Sequence, residues 1–173
     1  WALKKKIPIA NEGTLFYDYF KGKTIGITGT RGKTTTANWA HHFIKGSLLT
    51  GNSTTKPFQV AMGDRAKVAV TELSSFILEL FDCVKRSPHI AVITNLYQDH
   101  LNRHGTMQEY ARAKANIFIH QTARDTLILN RDDEWTPWFV ARHPKSRVEY
   151  FSVNEIPPEL DGGDFVVGGG KHN

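Results

Sequence analysis

The sequence predicts an α/β fold, a mostly parallel sheet with helices on both faces, and three observations carry that prediction. Strand-like apolar runs alternate with helix-like segments along the 173 residues, and there is no internal repeat. Two of the runs, Val68-Ala69-Val70 and Ile90-Ala91-Val92-Ile93, are continuous, as in strands covered on both faces. A loop rich in glycine and threonine and ending in lysine joins the first strand to a helical segment.

Taken in order, 7–20 carries Pro8, Asn11 and Gly13 and reads as a linker with a short amphipathic piece. Strands are expected at 23–28, 67–72, 90–95, 126–130 and 147–152, and helices at 33–45, 75–86, 106–121 and 134–142. The 23–28 run alternates through Ile25 and Ile27, and Thr106-Met107-Gln108-Glu109 reads as a capping box opening the 106–121 helix. After Val153 the character changes to Pro157-Pro158, Gly162-Gly163 and Gly168-Gly169-Gly170, which suits a flexible tail or an irregular hairpin.

Composition bounds the function. A chain of this length buries one core, and a second full domain is not expected. One cysteine, Cys83, excludes a disulfide framework and a cysteine-rich zinc site, and no apolar run is long enough to span a membrane. A cytoplasmic monomer without membrane or nucleic-acid partners is expected. The net charge of +5 comes from scattered basic residues, so phosphate-rich small molecules account for it as well as nucleic acid would.

Chemistry concentrates at the expected strand ends. Gly29-Thr30-Arg31-Gly32-Lys33-Thr34-Thr35-Thr36 follows the first strand and opens a helix. Glycines let backbone N–H groups close around phosphate oxygens, the helix N-terminus adds partial positive charge and Lys33 a full one. The hydroxyl of Thr34 or Thr35 is placed to ligate Mg²⁺. The ordinary P-loop pattern requires glycine at 27, where this chain has Ile27, so only the shorter form T-G-T-x-G-K-T-T remains. Glu72 ends the second strand, placed either to hold Mg²⁺ or to sit solvated at a loop start. His100 and His104 have the spacing of a zinc pair if their segment is helical, but no third ligand is suitably spaced and Gly105 argues that the helix begins later. Lys114 lies four residues from both Tyr110 and Phe118, on an apolar helix face, and periodicity alone favours a lysine that covers the core with its stem and reaches water with its head.

Three blocks together resemble the central ATP-binding domain of the Mur ligases, and among them the D-glutamate-adding branch. They are the 28–35 loop, Glu72-Leu73-Ser74-Ser75-Phe76-Ile77-Leu78-Glu79, and the stretch from Asn95 through Asp99-His100-Leu101-Asn102-Arg103-His104-Gly105 to Lys114. Asn130-Arg131-Asp132-Asp133 adds to the resemblance, and so does Gly170-Lys171-His172-Asn173. Arg31, Asn102, Ile77 and Thr54 depart from the family's usual Asn, Asp, Gln and Gly.

The resemblance implies roles. Gly29, Thr30, Arg31, Gly32, Lys33, Thr34 and Thr35, with Asn130 and Asn173, would bind ATP. Thr34, Glu72, His100 and Lys114 would hold two Mg²⁺ ions, Lys114 as a carbamate formed with CO₂, and Lys33, His100 and Lys114 would be the catalytic set. Asn52 and Ser74 would reach the substrate. The implied reaction joins D-glutamate to UDP-N-acetylmuramoyl-L-alanine through an acyl phosphate. Alternatives are the diaminopimelate- or lysine-adding relatives, folylpolyglutamate synthase, or a P-loop nucleotide-binding module without ligase activity. On this resemblance 1–20 is a linker from an N-terminal UDP-binding domain and 21–173 an incomplete central domain. The N-terminal and C-terminal domains would then be absent, and ligation by 1–173 alone is not expected.

Overall fold

A computed structural model describes residues 5, 9–52 and 56–154. Its six strands, β1 (Lys23–Thr28), β2 (Leu48–Gly51), β3 (Val68–Glu72), β4 (Ile90–Ile93), β5 (Thr126–Asn130) and β6 (Arg147–Phe151), form one sheet in the order β2-β3-β1-β4-β5-β6. Every pairing is parallel, and β1 lies between β3 and β4, with Ile25 opposite both Val70 and Ile90.

The sheet is covered unevenly. Helices α1 (Glu12–Tyr19), α3 (Phe58–Ala61), α4 (Ser75–Leu78), α5 (Phe81–Val84), α7 (Met107–Ala115) and α8 (Thr136–Val140) contribute to one core, which holds Phe16, Phe58, Phe81, Phe118, Phe139, Ala91 and Leu127. Helix α2 (Lys33–Phe43) packs on the opposite face, where Ala37 meets Ile27 and Val70. Topology explains the asymmetry. The β1-to-β2 step runs in one direction across the sheet and the four later steps run in the other. Crossovers of a single hand therefore put α2 on one face and the later helices on the other. Beyond α2, Ile90 and Ile128 remain only half-buried.

Several elements differ from expectation. The 7–20 segment contains a capped helix: Asn11 and Thr14 bond each other's backbone, Asn11 Nδ2 donates to Ile77 O at 2.8 Å, and Phe16 stacks on Phe20 inside the core. Strand β2 and the α3 turn stand where no element was expected. The expected 75–86 helix is two short pieces, and Leu80 between them has φ −98° and ψ −3°. The expected 106–121 helix begins on its Thr106 cap but ends at Ala115, and a helical turn, α6 (Leu101–His104), precedes it. Asn173 and the Gly170–Asn173 motif lie outside the described residues.

Candidate functional site

Strands β1 and β4 are neighbours whose following helices lie on opposite faces, and a crevice opens there at the strands' carboxyl ends. The 29–32 loop leaves β1 and is fastened to the chain leaving β4. Thr30 N donates to Asn95 O at 3.0 Å, Arg31 N to Asn95 Oδ1 at 2.9 Å, and Thr94 Oγ1 to Arg31 O at 2.7 Å. Gly29 makes this approach possible: its φ is +148°, and a Cβ there would lie 1.9 Å from Thr94 Oγ1. Gly32 caps α2 in the left-handed conformation, and Lys33 Nζ folds back onto Thr30 O at 3.0 Å.

A cavity of about 310 Å³ opens beside this loop, and Gly29, Lys33, Thr34, Asn52, Glu72, Ser74, His100 and Lys114 all line it. Ser75, Phe76 and Tyr110 complete its wall. Residues expected to act together thus converge although they lie up to 85 positions apart in sequence, as in the Lys114–Gly29 hydrogen bond. Thr35 is exposed on α2 and does not line the cavity, which favours Thr34 of the two hydroxyls. Thr30 lies behind the loop against the Tyr97 backbone and Tyr110. Arg31 is exposed and touches the Asn95 side chain through its backbone. Asn130 stands at the end of β5, where it donates to Thr94 O and accepts from Asp132 N, away from the cavity.

Glu72 is 1% exposed. Its Oε2 accepts from Thr34 Oγ1 at 2.9 Å, and its Oε1 is a buried atom without any hydrogen-bond partner among the described residues. A buried carboxylate oxygen left unpaired is costly. Glu72 lines the cavity, and Thr34, bonded to its other oxygen, is also a hard oxygen donor, so the residues present fit a small divalent cation such as Mg²⁺. No three His, Cys, Asp or Glu side chains gather into a cage among the described residues. Mg²⁺ commonly takes only one or two protein oxygens and completes its shell with phosphate and water.

Lys114 corrects the expectation drawn from its periodicity. Its side chain turns inward: it is 1% exposed, and Nζ donates to Gly29 O at 2.8 Å and sits 4.6 Å from the Tyr110 ring centroid. Burial, with the charge of Lys33 as a second cause, pushes its amine down to about 7. A substantial fraction is therefore neutral and nucleophilic near neutral pH.

His100 caps α6 with φ 52° and ψ 25°, a conformation that costs a non-glycine residue about 1–3 kcal/mol. Its ring packs edge-on against Phe76 and Tyr110. His104 does not join it as a zinc pair. The His104 ring is bonded to Ser75 Oγ at 3.0 Å and stacked on Phe76, and burial lowers its proton affinity. Sequence reasoning passed over Ser75, Phe76 and Tyr110 as lining residues. The available signal was the four-residue spacing that puts Tyr110 and Lys114 on one helix face.

The family model described as the Mur ligase middle domain matches residues 27–159, most of the chain. The UDP-N-acetylmuramoylalanine–D-glutamate ligase of Geobacillus kaustophilus is 44% identical over 173 residues, covering 97% of this chain and 37% of the relative. The enzyme of that name from Bacillus subtilis is 38% identical over 170 residues, covering 95% and 36%. The chain therefore spans little more than a third of the length of these relatives. Among solved structures, a MurF ligase from Thermotoga maritima in complex with ADP superposes with TM-score 0.64 at 20% identity, covering 83% of this chain and 35% of that one. A UDP-N-acetylmuramoyl-L-alanyl-D-glutamate–2,6-diaminopimelate ligase superposes with TM-score 0.63 at 24% identity, covering 89% and 34%. At these identities the superpositions speak for the fold alone. The sequence match extends through the strand, loop and helix that build the cavity, and the chain belongs to the Mur ligase family.

Proposed function

We propose that the protein carrying this chain is an ATP-dependent ligase that joins D-glutamate to UDP-N-acetylmuramoyl-L-alanine. The observation that carries this reading is the gathering of Lys33, Thr34, Glu72, His100 and Lys114 around one cavity at the phosphate loop. The names and identities of the relatives support the choice of substrates.

In this reading ATP phosphorylates the substrate carboxylate, the amine of D-glutamate attacks the acyl phosphate, and amide and inorganic phosphate leave. The chain's own work is positioning and charge neutralisation. The N–H groups of the 29–34 loop and the α2 N-terminus receive the β- and γ-phosphates. Lys33 exchanges its bond to Thr30 O for a phosphate oxygen. Thr34 and Glu72 would hold one Mg²⁺, and His100 with Lys114 a second; the ions would supply charge neutralisation along the phosphates. The neutral Lys114 amine adds to the carbon of CO₂ and releases one proton. That converts a buried neutral amine into an anionic carbamate, whose oxygens would serve as metal ligands. Asn52 and Ser74 face the same cavity and would contact the substrate carrying the carboxylate.

The test is phosphate release by the intact protein. Release that requires both D-glutamate and UDP-N-acetylmuramoyl-L-alanine, with amide product formed and with loss in Lys33→Ala, is expected. Equal or better use of diaminopimelate or lysine in place of D-glutamate would transfer the protein to another branch of the family. Phosphate release indifferent to any amino acid would remove the ligase reading.

A further inference from the structure

The opposite end of the sheet carries a second cavity, of about 640 Å³, which shares no residue with the first. It lies where β1, β3, β4 and β5 begin, and Lys21, Lys23, Lys67, Arg86 and His89 line it. Two carboxylates are present, and both are engaged. Asp18 pairs with Arg86 at 3.1 Å, and Asp125 accepts from the backbone and hydroxyl of Thr122. The ammonium groups of Lys23 and Lys67 form no ion pair among the described residues.

These two lysines are held side by side by the backbone. Lys23 N donates to Lys67 O at 2.8 Å, which starts the β1–β3 pairing. Gly22 permits that approach, since a Cβ there would lie 2.5 Å from Lys67 O and 2.8 Å from the Phe20 ring. Like charges are thus brought to adjacent strand starts with no carboxylate assigned to them.

His89 supplies a directional donor beside them. Its Nδ1 accepts from the Thr24 backbone N–H at 3.1 Å, so Nδ1 carries no proton and the ring proton is on Nε2. Burial, and after it the charge of Lys23, lower the ring's proton affinity, against an opposing contribution from Asp125. That Nε2–H has no partner among the described residues. An N–H donor and two ammonium groups without an ion pair line this one cavity, and together they are a donor set for a phosphate-like oxyanion.

We propose that this cavity is a second oxyanion site that binds a small diphosphate, either free or as part of a nucleotide, between Lys23, Lys67 and His89. Two unpaired cations and a volume well above that of one phosphate group favour a diphosphate over a monophosphate. The ligand would reach the protein at the end of the sheet remote from the phosphate loop, so both sites can be filled together.

The test is calorimetric titration of inorganic pyrophosphate into the intact protein carrying Lys33→Ala, which weakens competition from the phosphate loop. Saturable one-to-one binding is expected. Lys23→Ala and Lys67→Ala should each weaken it by about tenfold, the scale of one charge-assisted contact, and Lys67→Glu should abolish it. Both lysines are exposed, so these variants are expected to fold as the parent does. A parallel titration with ADP separates the two sources of diphosphate: tighter binding than pyrophosphate assigns a nucleotide, and equal or weaker binding assigns the free anion. Absence of saturable binding at millimolar pyrophosphate would overturn the proposal. So would binding that neither lysine substitution alters.

Discussion

At the carboxyl ends of the strands, Glu72 and Lys114 are each 1% exposed. At the amino ends, Lys21, Lys23, Lys67 and Arg86 all stand in solvent. The two ends of one sheet therefore handle charge in opposite ways. At the amino end water screens each ion, and substituting one changes stability little. At the carboxyl end the ions have left water, and each must be neutralised, paired or completed by a ligand. The difference teaches where this fold gives up stability: a lone carboxylate oxygen and a lysine losing its proton lie together at the phosphate loop.

The largest expected effect is at Lys33. Lys33→Ala removes the full positive charge from the loop while leaving its backbone in place. Adenine-nucleotide affinity should fall by about 100-fold, from the loss of one or two charge-assisted hydrogen bonds. Calorimetry on the folded variant decides this, and an unchanged affinity would break the contrast between the two ends.

Next in size is the pH dependence set by Lys114. Its amine titrates near 7 in the folded protein and near 10.5 in the unfolded chain. Between those values the unfolded state holds more protons, so stability rises with pH from about 7 to about 10, by up to a few kcal/mol. Below about 7 that contribution is absent. Lys114→Met should flatten this slope and raise stability at neutral pH while activity is lost. Denaturant unfolding of parent and variant across that pH range measures both. A slope shared by parent and variant would show that the buried lysine is not its source.

A smaller shift is expected at Glu72. Glu72→Gln keeps the shape and removes the anionic charge of the unpaired oxygen. Mg²⁺–nucleotide should raise the melting temperature of the parent, by about 2.7 kcal/mol of stabilisation at a ligand concentration a hundredfold above Kd. It should do so much less in the variant. Equal stabilisation of both would separate Glu72 from the metal. The smallest effect belongs to the amino end: Lys23→Ala with Lys67→Ala should alter unfolding free energy by no more than about 0.5 kcal/mol.

The sequence made the site more legible than the elements around it. The phosphate loop, Glu72 and His100 are readable because each stands at or beyond the end of an apolar strand and has a residue type suited to phosphate or metal. Lys114 is the instructive case. Helical periodicity gives its face but not its depth, and family resemblance rather than periodicity pointed to the buried position that the structure shows. Strand β2 was missed because it is an edge strand of four residues, too short for a period to register. The 75–86 helix was overextended because its apolar pattern continues through Leu80 while the backbone does not. Ser75 and Phe76 reach the cavity through tertiary contacts, which no local pattern encodes, whereas Tyr110 shares a helix face with Lys114.

The clamp between Asn95 and the phosphate loop has a consequence for how the chain acquires its shape. Arg31 and Asn95 are 64 positions apart, and closing a segment of that length costs about 4 kcal/mol in chain entropy. The loop cannot be held in its native geometry until β4 has taken its place beside β1. During synthesis β1 to β3 emerge first, and the 29–32 turn at the end of β1 stays unfastened until Thr94 and Asn95 arrive. The geometry of the 29–32 loop is thus completed only by residues that follow β4, although the loop itself lies early in the sequence.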